Sequence, residues 1–338
     1  MKHFIIALVA AALVSVGGVS AHAQEYDWKF QSSEPAGSIF IPIQQEWAER
    51  VSAASNGRVN IEIVPVGSIV AHNETHDAIG AGILGGHISS TEYIAGKDAS
   101  FSLIANPVGG WGSPHELFRY MKYGGGHELL NELLHPYGVH AIGVTTSGLE
   151  AFVSTKPLSG VADLQGLKMR SPEGLVTETF AAAGAAPVNL PTSEVFTALD
   201  KGVVDAADYS AFSVNHSVGL HDIAKHPVYP GFHSMPLLEV SVNKGQWDSM
   251  PSDLQQILEF SVDWLAYEQI SIIAMADLEA IVEARSQGAT VHNWSQEERA
   301  KFRAFAREQW AKKAAESADA QRVFDSLTSY MEAQGLLR

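Results

Sequence analysis

Residues 164–209 read LQGLKMRSPEGLVTETFAAAGAAPVNLPTSEVFTALDKGVVDAADY, and no other segment says as much about the architecture. Leu167–Arg170 predicts a strand, while Leu175–Ala183 and Glu194–Lys201 have the apolar spacing of helices. Asp205–Tyr209 predicts the next strand. A chain that alternates strand and helix in this way is typical of a sheet covered by helices, which indicates an α/β fold.

The same alternation continues in both directions along the chain. Toward the N-terminus, Phe40–Ala54 predicts a helix and Val59–Ile63 predicts a half-buried strand. Toward the C-terminus, Pro251 to about Ser286 predicts one long amphipathic helix, and two shorter charged helices follow. At 338 residues a single hydrophobic core is close to its practical size limit. The sequence therefore predicts two α/β lobes, joined by crossing strands and by a long helix that spans both, which is the architecture of a clamp.

The order of these segments also predicts which residues belong to each lobe. We expect lobe I to comprise residues 24–147 and 236–275. We expect lobe II to comprise residues 148–235 and 276–338, including the C-terminal helices.

Composition limits the classes of function. Lys and Arg number 22 against 38 Asp and Glu, a formal net charge of −16, so the chain repels phosphate backbones and no nucleic acid partner is expected. The sequence has no cysteine, which excludes thiol nucleophiles, disulfides and thiolate metal sites. It also has no Gly-x-Ser-x-Gly elbow and no P-loop, so it favours a protein that is not an enzyme.

The first 23 residues read as a cleaved signal peptide. Lys2 and His3 give a short positive start, and Ile5–Val16 is an apolar run. Ala21–Ala23 has the A-x-A pattern of a cleavage site. The run is shorter than the roughly 20 apolar residues of a membrane span. We therefore expect an exported chain whose mature form begins at Gln24.

Two motifs suggest other functions. Gly80–Gly85 matches G-x-G-x-x-G, but a helix precedes it and a strand follows, whereas a dinucleotide site needs the reverse order; a helix end and a turn are preferred. His72 and His76 lie four residues apart, a spacing that zinc sites use on one helix face. A metallohydrolase built on this pair is the least favoured function, and a solvated helix face is the preferred interpretation.

The long C-terminal helix carries an apolar stripe. Its members are Trp264, Tyr267, Ile270, Ile273 and Leu278. Such a stripe at helical spacing is typical of core packing, so we expect these side chains to be buried rather than to line a cofactor site.

Three short motifs together resemble one family. They are Asp163–Arg170 (DLQGLKMR), Pro187–Leu190 (PVNL) and Glu194–Ala206 (EVFTALDKGVVDA). They resemble the signature of the solute-binding proteins of tripartite ATP-independent periplasmic (TRAP) transporters of the DctP type, and the resemblance covers the chain from Gln24 onward. It implies a two-lobed, class II-like periplasmic-binding-protein fold and a location in the periplasm. It further implies a receptor that closes on a small organic acid and delivers it to a membrane permease.

The resemblance assigns the central role to Arg170. In the family, the matching Arg forms a two-pronged salt bridge to the carboxylate of the substrate. The chemistry supports this role independently, because a planar guanidinium matches a carboxylate bidentately. The alternative is a structural ion pair of Arg170 with Glu173 or Asp163.

Asp208 and Tyr209 resemble the branch of the family that binds 2-oxo acids and lactate. There, the acidic residue helps to hold a metal ion that bridges to the substrate, and the aromatic residue packs on the ligand. This implies a Na⁺ or Ca²⁺ site that includes Asp208 and Glu150. The sequence departs from that branch at Ser234, where a second metal-binding carboxylate is expected.

Several acidic residues around Arg170 leave the ligand class open. Glu34 and Glu150 match ligand-facing positions of ectoine- and sialic-acid-binding members, and with Asp208 they would place excess negative charge in a dry cleft. A bound cation, a ligand with a positive group, or a solvent-facing Glu150 would each relieve it. The alternative function is therefore a binder of a zwitterionic osmolyte of ectoine or betaine type. Further expected ligand neighbours are Tyr93, Gln31, Phe212 and His233, and the chain is expected to be a monomer or a homodimer.

Overall fold

A computed structural model describes residues 25–172, 174–190 and 192–337. The predicted signal peptide at residues 1–23 lies outside the described residues, together with its cleavage pattern and Glu173. None of the helices in the described ranges combines the length and the apolar character needed to cross a membrane.

The strands form two separate sheets. Within the described residues they are β1 (Tyr26–Ser32), β2 (Val59–Val64), β3 (Gly86–Ser89), β4 (Val139–Thr146), β5 (Ala151–Ser154), β6 (Lys168–Ser171), β7 (Ala186–Asn189), β8 (Ala206–Ser210) and β9 (Leu237–Asn243). The first sheet has the order β2-β1-β3-β9-β4, and the second has the order β5-β8-β6-β7. Each sheet combines parallel and antiparallel pairs. The predicted α/β class and the two-lobed arrangement are confirmed.

Helices cover both sheets. They are α1 (Phe40–Ala54), α2 (Thr75–Gly80), α3 (Ala99–Ala105), α4 (Pro114–Tyr123), α5 (Gly126–Leu134), α6 (Leu175–Ala182), α7 (Val195–Asp200), α8 (Phe212–Ser217), α9 (Leu220–Ile223), α10 (Lys244–Ser249), α11 (Ser252–Ser286), α12 (Gln296–Ala314) and α13 (Ala318–Ala333). The apolar face of α1 packs in the core of the first lobe, through Ile43, Trp47 and Val51. Asn56 and Gly57 follow with φ values of 54° and 75°, which ends this helix.

The predicted long helix is α11, and it spans both lobes. It packs against β4 and α1 beside the first sheet and against α8 beside the second. The Gln269 side-chain amide donates to the Thr146 carbonyl at 2.8 Å, at the end of β4. Farther along α11, an oxygen of Asp277 accepts from the backbone N–H of Ser213 at 2.7 Å, in α8.

The prediction that the α11 stripe is buried is wrong for part of it. Ile273 is buried, but Tyr267 and Leu278 are 65% and 62% exposed. The buried line of this helix instead includes Leu258, Leu265 and Ile273. The sequence pattern misleads here because α11 carries two apolar lines, and helical spacing alone does not tell which one faces the core.

The chain crosses between the sheets in both directions. After β4 it builds the whole second sheet, and it then returns as β9, which lies between β3 and β4. β9 is antiparallel to both of these neighbours. Its residues from Leu237 to Val242 are all buried, because Leu237 and Leu238 point into different apolar clusters on the two faces of the sheet. The first sheet is thus completed by a strand that follows the second sheet in the sequence.

The glycine motif at Gly80–Gly85 joins a helix to a strand. α2 ends at Gly80, and β3 begins at Gly86. Gly82 has a φ of 73°, a turn conformation that glycine adopts without steric cost. The preferred interpretation of this motif, a helix end and a turn, is confirmed.

Candidate binding site

Three charged residues meet at one edge of the second sheet. β6 and β8 are parallel, with Arg170 opposite Ala207, so their carboxyl ends lie together and carry Arg170 and Asp208. β5 is antiparallel to β8, with Ala151 opposite Ser210, so the start of β5 lies at the same edge. Glu150 directly precedes β5. Strand direction therefore brings these side chains to one place, although they come from separate parts of the chain.

Arg170 is oriented by backbone carbonyl groups. It is 5% exposed, its Nε donates to the Leu190 carbonyl at 2.9 Å, and its Nη1 donates to the Asp208 carbonyl at 2.7 Å. Within the described residues, no carboxylate oxygen lies within ion-pair distance of its guanidinium. Asp163, one of the two alternative partners, accepts from the backbone N–H of Ser159 instead. The guanidinium is fixed in direction, and its charge is left for another anion.

Glu150, Asp208 and His233 form a buried cluster, which we call the acid cluster. One ligand atom from each lies within 4.8 Å of the other two. His233 Nε2 is 3.5 Å from Asp208 Oδ2, and within the described residues neither that oxygen nor either ring nitrogen has a hydrogen-bond partner. Burial raises the pKa of Glu150 well above its usual range, Asp208 and Glu92 raise it further, and Ser234 and Arg170 oppose the rise. The solvent-facing alternative for Glu150 is wrong, since its exposed fraction is 8%.

The loop before β9 is pressed against Glu150. A Cβ added at Gly231 would lie 1.5 Å from the Glu150 carbonyl oxygen, so only glycine fits at this contact. The Glu150 N–H donates to the Ser234 carbonyl at 2.9 Å. The Asn106 side-chain amide donates to the Ser234 hydroxyl at 2.9 Å. Ser234, the position where the resemblance leads one to expect a carboxylate, thus adjoins the acid cluster as a neutral hydroxyl.

Residues that follow β3 approach the acid cluster from the first lobe. Burial raises the pKa of the half-buried Glu92 to about 7, with a contribution from the charge of Asp208. Desolvation raises the pKa of Tyr93, and the charges of Glu92, Glu34 and Glu150 raise it further. These electrostatic interactions indicate that the acid cluster and the residues that follow β3 face a common space between the two sheets, which we call the crevice.

Tyr93 and Glu34 each follow a strand of the first sheet, β3 and β1. The Tyr93 side chain is 47% exposed, and its ring packs on His72 with 3.6 Å between ring centroids. Glu34 accepts from the Ser38 hydroxyl at 2.8 Å, and burial raises the pKa of its carboxyl group. Tyr93 is therefore available to a ligand, while Glu34 is partly committed to Ser38.

The structure does not bring every expected residue to the crevice. Gln31 is fully buried, and its amide bonds the backbone of Ile69 and Val70. Phe212 is fully buried in a separate cluster beside α11. Tyr209 is half-buried and packs on the apolar core of the second lobe. Of these three, only Tyr209 lies next to a residue of the acid cluster in the sequence.

Sequence reasoning missed Glu92. Its only signal is its position directly before Tyr93, which was itself expected to face the ligand. Glu92 enters the electrostatic environment of Asp208 because the two lobes face each other, and no local pattern in the sequence records that.

The His72 and His76 pair does not form a two-histidine site on a helix face. His76 is fully buried, and its Nε2 lies 2.5 Å from Glu239 Oε1. His87 lies 3.4 Å from the same oxygen. His72 instead bonds the Ser89 hydroxyl at 3.1 Å. The solvated-face interpretation is therefore wrong for His76, and of the pair only His76 joins a group that could hold a metal ion, together with His87 and Glu239.

Comparisons with known proteins identify the family to which this chain belongs. The family model described as bacterial extracellular solute-binding protein, family 7 (DctP), matches residues 31–317. The monocarboxylate 2-oxoacid-binding periplasmic protein of Nostoc sp. is 27% identical over 294 residues, which cover 86% of this chain and 80% of that relative.

Solved structures of two related proteins match the fold of this chain over nearly its whole length. A TRAP periplasmic solute-binding protein from Rhodobacter sphaeroides, in an apo open structure, is 54% identical with a TM-score of 0.85, covering 92% of this chain and 99% of that one. Another from Pseudoalteromonas atlantica, with bound sodium and pyruvate, is 26% identical with a TM-score of 0.78, covering 91% of this chain and 94% of that one. The family expected from the three motifs is confirmed: this chain belongs to the DctP family of bacterial extracellular solute-binding proteins and is a TRAP periplasmic solute-binding protein.

Proposed function

We propose that the protein is a periplasmic receptor that binds a small monocarboxylate, a 2-oxo or 2-hydroxy acid, and delivers it to the permease of a TRAP transporter. The observation that carries the proposal is the Arg170 guanidinium, which is buried and held by two backbone carbonyls without a carboxylate partner among the described residues. A ligand carboxylate supplies the missing charge, and bidentate contact fixes its orientation.

The acid cluster supports a cation next to the ligand. Asp208 Oδ2 is buried without a hydrogen-bond partner, and Glu150 is buried beside it, so a cation would relieve both the unpaired oxygen and the like-charge repulsion. Carboxylate oxygens suit Na⁺ or Ca²⁺. Glu150 and Asp208 would hold the ion, with His233 beside them, and it would neutralise the site and attract the oxygens of a 2-oxo or 2-hydroxy acid. The relative with bound sodium and pyruvate is consistent with this proposal.

Closure of the two lobes would complete the site. The proposed lobes are residues 24–147 with 236–275, and residues 148–235 with 276–338. Arg170 and the acid cluster belong to the second, while Tyr93 and Glu92 belong to the first. A ligand that contacts both sides favours the closed state by its greater affinity for that state.

The test is calorimetry on the mature chain with a panel of ligands, each with and without Ca²⁺ or Na⁺. The panel comprises pyruvate, lactate, a dicarboxylate, ectoine and glycine betaine. We expect pyruvate or lactate to bind and the Arg170→Ala variant to lose roughly 30- to 5,000-fold in affinity, about 2–5 kcal/mol. Arg322→Ala, which removes an exposed ion pair on α13, is the control and should bind normally.

Two outcomes would contradict the proposal. Unchanged affinity in Arg170→Ala would remove the role of the guanidinium. Binding of ectoine or betaine in preference to the plain carboxylates, weakened by Glu150→Gln, would replace the monocarboxylate with a zwitterion.

A further inference from the structure

One face of the first sheet carries polar side chains that are sealed from solvent. The pairing of β3 with β9 sets His87 opposite Ser241. Two residues farther along β3, it sets Ser89 opposite Glu239. Because side chains alternate between the two faces of a sheet, all four point to the same side, and all four are fully buried. His76, from α2, packs over them, with its ring against that of His87 at 4.5 Å between ring centroids.

His76, His87 and Glu239 form a compact group, which we call the histidine cluster. One ligand atom from each lies within 4.8 Å of the other two, and each side chain is fully buried. The three residues come from three elements, α2, β3 and β9. The histidine cluster therefore brings two imidazole rings and one carboxylate into one space without solvent.

The hydrogen bonds around His87 determine which of its ring nitrogens carries the proton. The Thr75 hydroxyl donates its only hydrogen to the His72 carbonyl at 3.1 Å. His87 Nδ1 lies 3.1 Å from the same hydroxyl, so Nδ1 donates and the Thr75 oxygen accepts. In a neutral imidazole the other nitrogen, Nε2, then has a lone pair and no proton.

That lone pair faces a carboxylate. Glu239 accepts from the Ser241 hydroxyl through Oε2 at 2.9 Å, and its Oε1 lies 2.5 Å from His76 Nε2. His87 Nε2 is 3.4 Å from the same Oε1, and within the described residues it has no hydrogen-bond partner. A lone pair that faces a carboxylate oxygen is repelled by it, and the absence of water makes the unpaired nitrogen costly. A cation between the two atoms removes the repulsion and supplies the missing partner.

The spacing of the ligand atoms suits a tetrahedral zinc ion. Zinc binds imidazole nitrogen and carboxylate oxygen at about 2.0–2.2 Å, which places neighbouring ligand atoms about 3.3 Å apart. His87 Nε2 and Glu239 Oε1 already have nearly this separation. His76 Nε2 is closer to that oxygen, and it would withdraw by about 0.8 Å to make room for the ion.

Two of the three ligand side chains are oriented by hydroxyl groups behind them. Thr75 holds Nδ1 of His87, and Ser241 holds Oε2 of Glu239. Hydrogen bonds of this kind fix the tautomer and the direction of metal ligands. Nδ1 of His76 has no partner among the described residues with or without an ion, so it favours neither state.

From the convergence of the three ligand atoms, the lone pair of His87 and the supporting hydroxyl groups, we propose that the histidine cluster is a structural zinc site. Two imidazoles and one carboxylate suit Zn²⁺ or a similar transition metal, whereas Na⁺ and Ca²⁺ prefer oxygen ligands. The three protein ligands leave the fourth position to an enclosed water molecule. Because the cluster is fully buried, the ion would stabilise the fold and would not meet a substrate.

The ion would connect parts of the chain that are distant in sequence. Glu239 lies 163 residues after His76, on the strand that completes the first sheet. An ion bound by both residues would hold β9 to α2 and β3, which precede the whole second sheet. The proposal concerns the interior of the first lobe and does not depend on the identity of the organic ligand.

The test is refolding of the mature chain, without a histidine tag, from urea with either Zn²⁺ or EDTA. Refolding is used because a fully buried site exchanges its ion slowly. After dialysis we expect about one zinc ion per chain in the first sample, measured by elemental mass spectrometry. We also expect this sample to melt at a higher temperature than the EDTA sample, because an ion that binds only the folded state stabilises it.

Variants of the ligands and of their support locate the ion. Glu239→Gln and His87→Gln should each lose the bound zinc. Thr75→Val keeps the shape of the side chain but removes the hydroxyl that orients His87, so zinc affinity should fall about 10- to 100-fold.

Two controls should keep the zinc. His226→Gln changes a half-buried histidine whose ring bonds His292 at 3.1 Å, outside the histidine cluster. Asp208→Asn changes the acid cluster and leaves the histidine cluster intact.

Cobalt gives a result that does not depend on whether the variants fold. The parent chain refolded with Co²⁺ should show the strong visible absorption of a four-coordinate cobalt ion with nitrogen and oxygen ligands. Added Zn²⁺ should abolish this absorption when the chain is unfolded and refolded again, and added Ca²⁺ should not.

Three results would overturn the proposal. The first is a refolded parent chain that retains no zinc, gains no thermal stability from it and shows no cobalt absorption. The second is zinc that remains in Glu239→Gln and is lost from Asp208→Asn, which would place the ion in the acid cluster. The third is a nitrogen NMR spectrum of the zinc-refolded chain in which both ring nitrogens of His87 carry protons, which would put a proton where the ion is proposed.

Discussion

Arg170 shows how one side chain can be both rigid and available. Two backbone carbonyls from different parts of the second lobe hold it, so its direction does not depend on any ionisable group. An ion pair with a neighbouring acid would have neutralised the charge. Since the carbonyls provide orientation without neutralising it, the energy of the pairing with a ligand carboxylate remains for binding.

Asp208→Asn tests the cation. We expect this variant to lose the dependence of ligand affinity on Ca²⁺ or Na⁺, because it removes one of the two buried carboxylates that would hold the ion. We also expect the free energy of unfolding without cation to rise by about 1–2 kcal/mol, since the substitution removes the charge repulsion of Asp208 with Glu150 and Glu92. Calorimetry and urea unfolding measure both effects.

Asp205→Asn is the control for that experiment, because Asp205 pairs with Lys156 outside the acid cluster. Its cation dependence should match that of the parent chain. If Asp208→Asn keeps the cation dependence, or if Asp205→Asn loses it, the acid cluster does not hold the ion.

Glu92 makes the stability of the folded protein depend on pH in a definite direction. Its pKa of about 7 in the folded protein exceeds the unfolded value near 4.5, so the folded state binds the proton more tightly. Stability from this group is present below about pH 4.5 and is lost as the pH rises to about 7. Relative to the parent chain, Glu92→Gln should therefore gain stability as the pH increases across this range.

Melting temperatures of the ligand-free and cation-free proteins between pH 4.5 and 7.5 provide the measurement. The difference between the two proteins is the quantity to follow, since burial lowers the pKa of His87, and this gives the parent chain a stability contribution of the opposite sign. Glu116→Gln, at a position outside the crevice, is the control. A difference between the parent and Glu92→Gln that stays constant with pH would show that Glu92 titrates normally.

Contacts between residues that lie far apart in the sequence are the ones that sequence patterns predict least well. Arg170 and Asp208 were expected together because of the family resemblance, and the structure shows that parallel strands bring them to one edge of the sheet. His76 was misplaced because its partner Glu239 is 163 residues away, on a strand that completes the sheet from the far side of the second lobe. Nothing around His76 in the sequence indicates that acid.

At the scale of structural elements, the loop between α9 and β9 depends strongly on one residue. Gly231 meets the backbone of Glu150 with no room for a side chain. We expect Gly231→Ala to lower the free energy of unfolding by about 3 kcal/mol or more, because neither backbone segment can move away without disturbing the acid cluster. Urea unfolding measures the loss.

Gly96→Ala is the matched control, because no atom lies within 4 Å of a Cβ added there. It should change stability by less than about 1 kcal/mol. A Gly231→Ala variant as stable as Gly96→Ala would contradict the close contact with Glu150.

Helix α11 illustrates what a periodic pattern can predict. Its length and both ends were expected from the apolar spacing and from Gly288. Its orientation was not, because two apolar lines of similar strength run along it and only tertiary packing selects the buried one. The buried line of α11 could be identified only after Leu258 and Leu265 were seen in the core.

At the scale of the whole molecule, the crevice between the lobes predicts a change of shape on binding. Small-angle scattering of the mature chain should show a smaller radius of gyration when the ligand is saturating. Arg170→Ala should keep the larger value at the same ligand concentration. A radius that is unchanged in the parent chain at saturation would show that binding does not close the lobes.

The position of β9 in the first sheet has a consequence for biogenesis. A polypeptide that crosses a membrane N-terminus first presents β3 and β4 well before residues 237–243 follow, so each of these strands keeps an unpaired edge while the second lobe is formed. Such edges invite pairing with other nascent chains. Any translocation arrest short of residue 243 should therefore release an aggregation-prone product rather than a half-sized, foldable lobe.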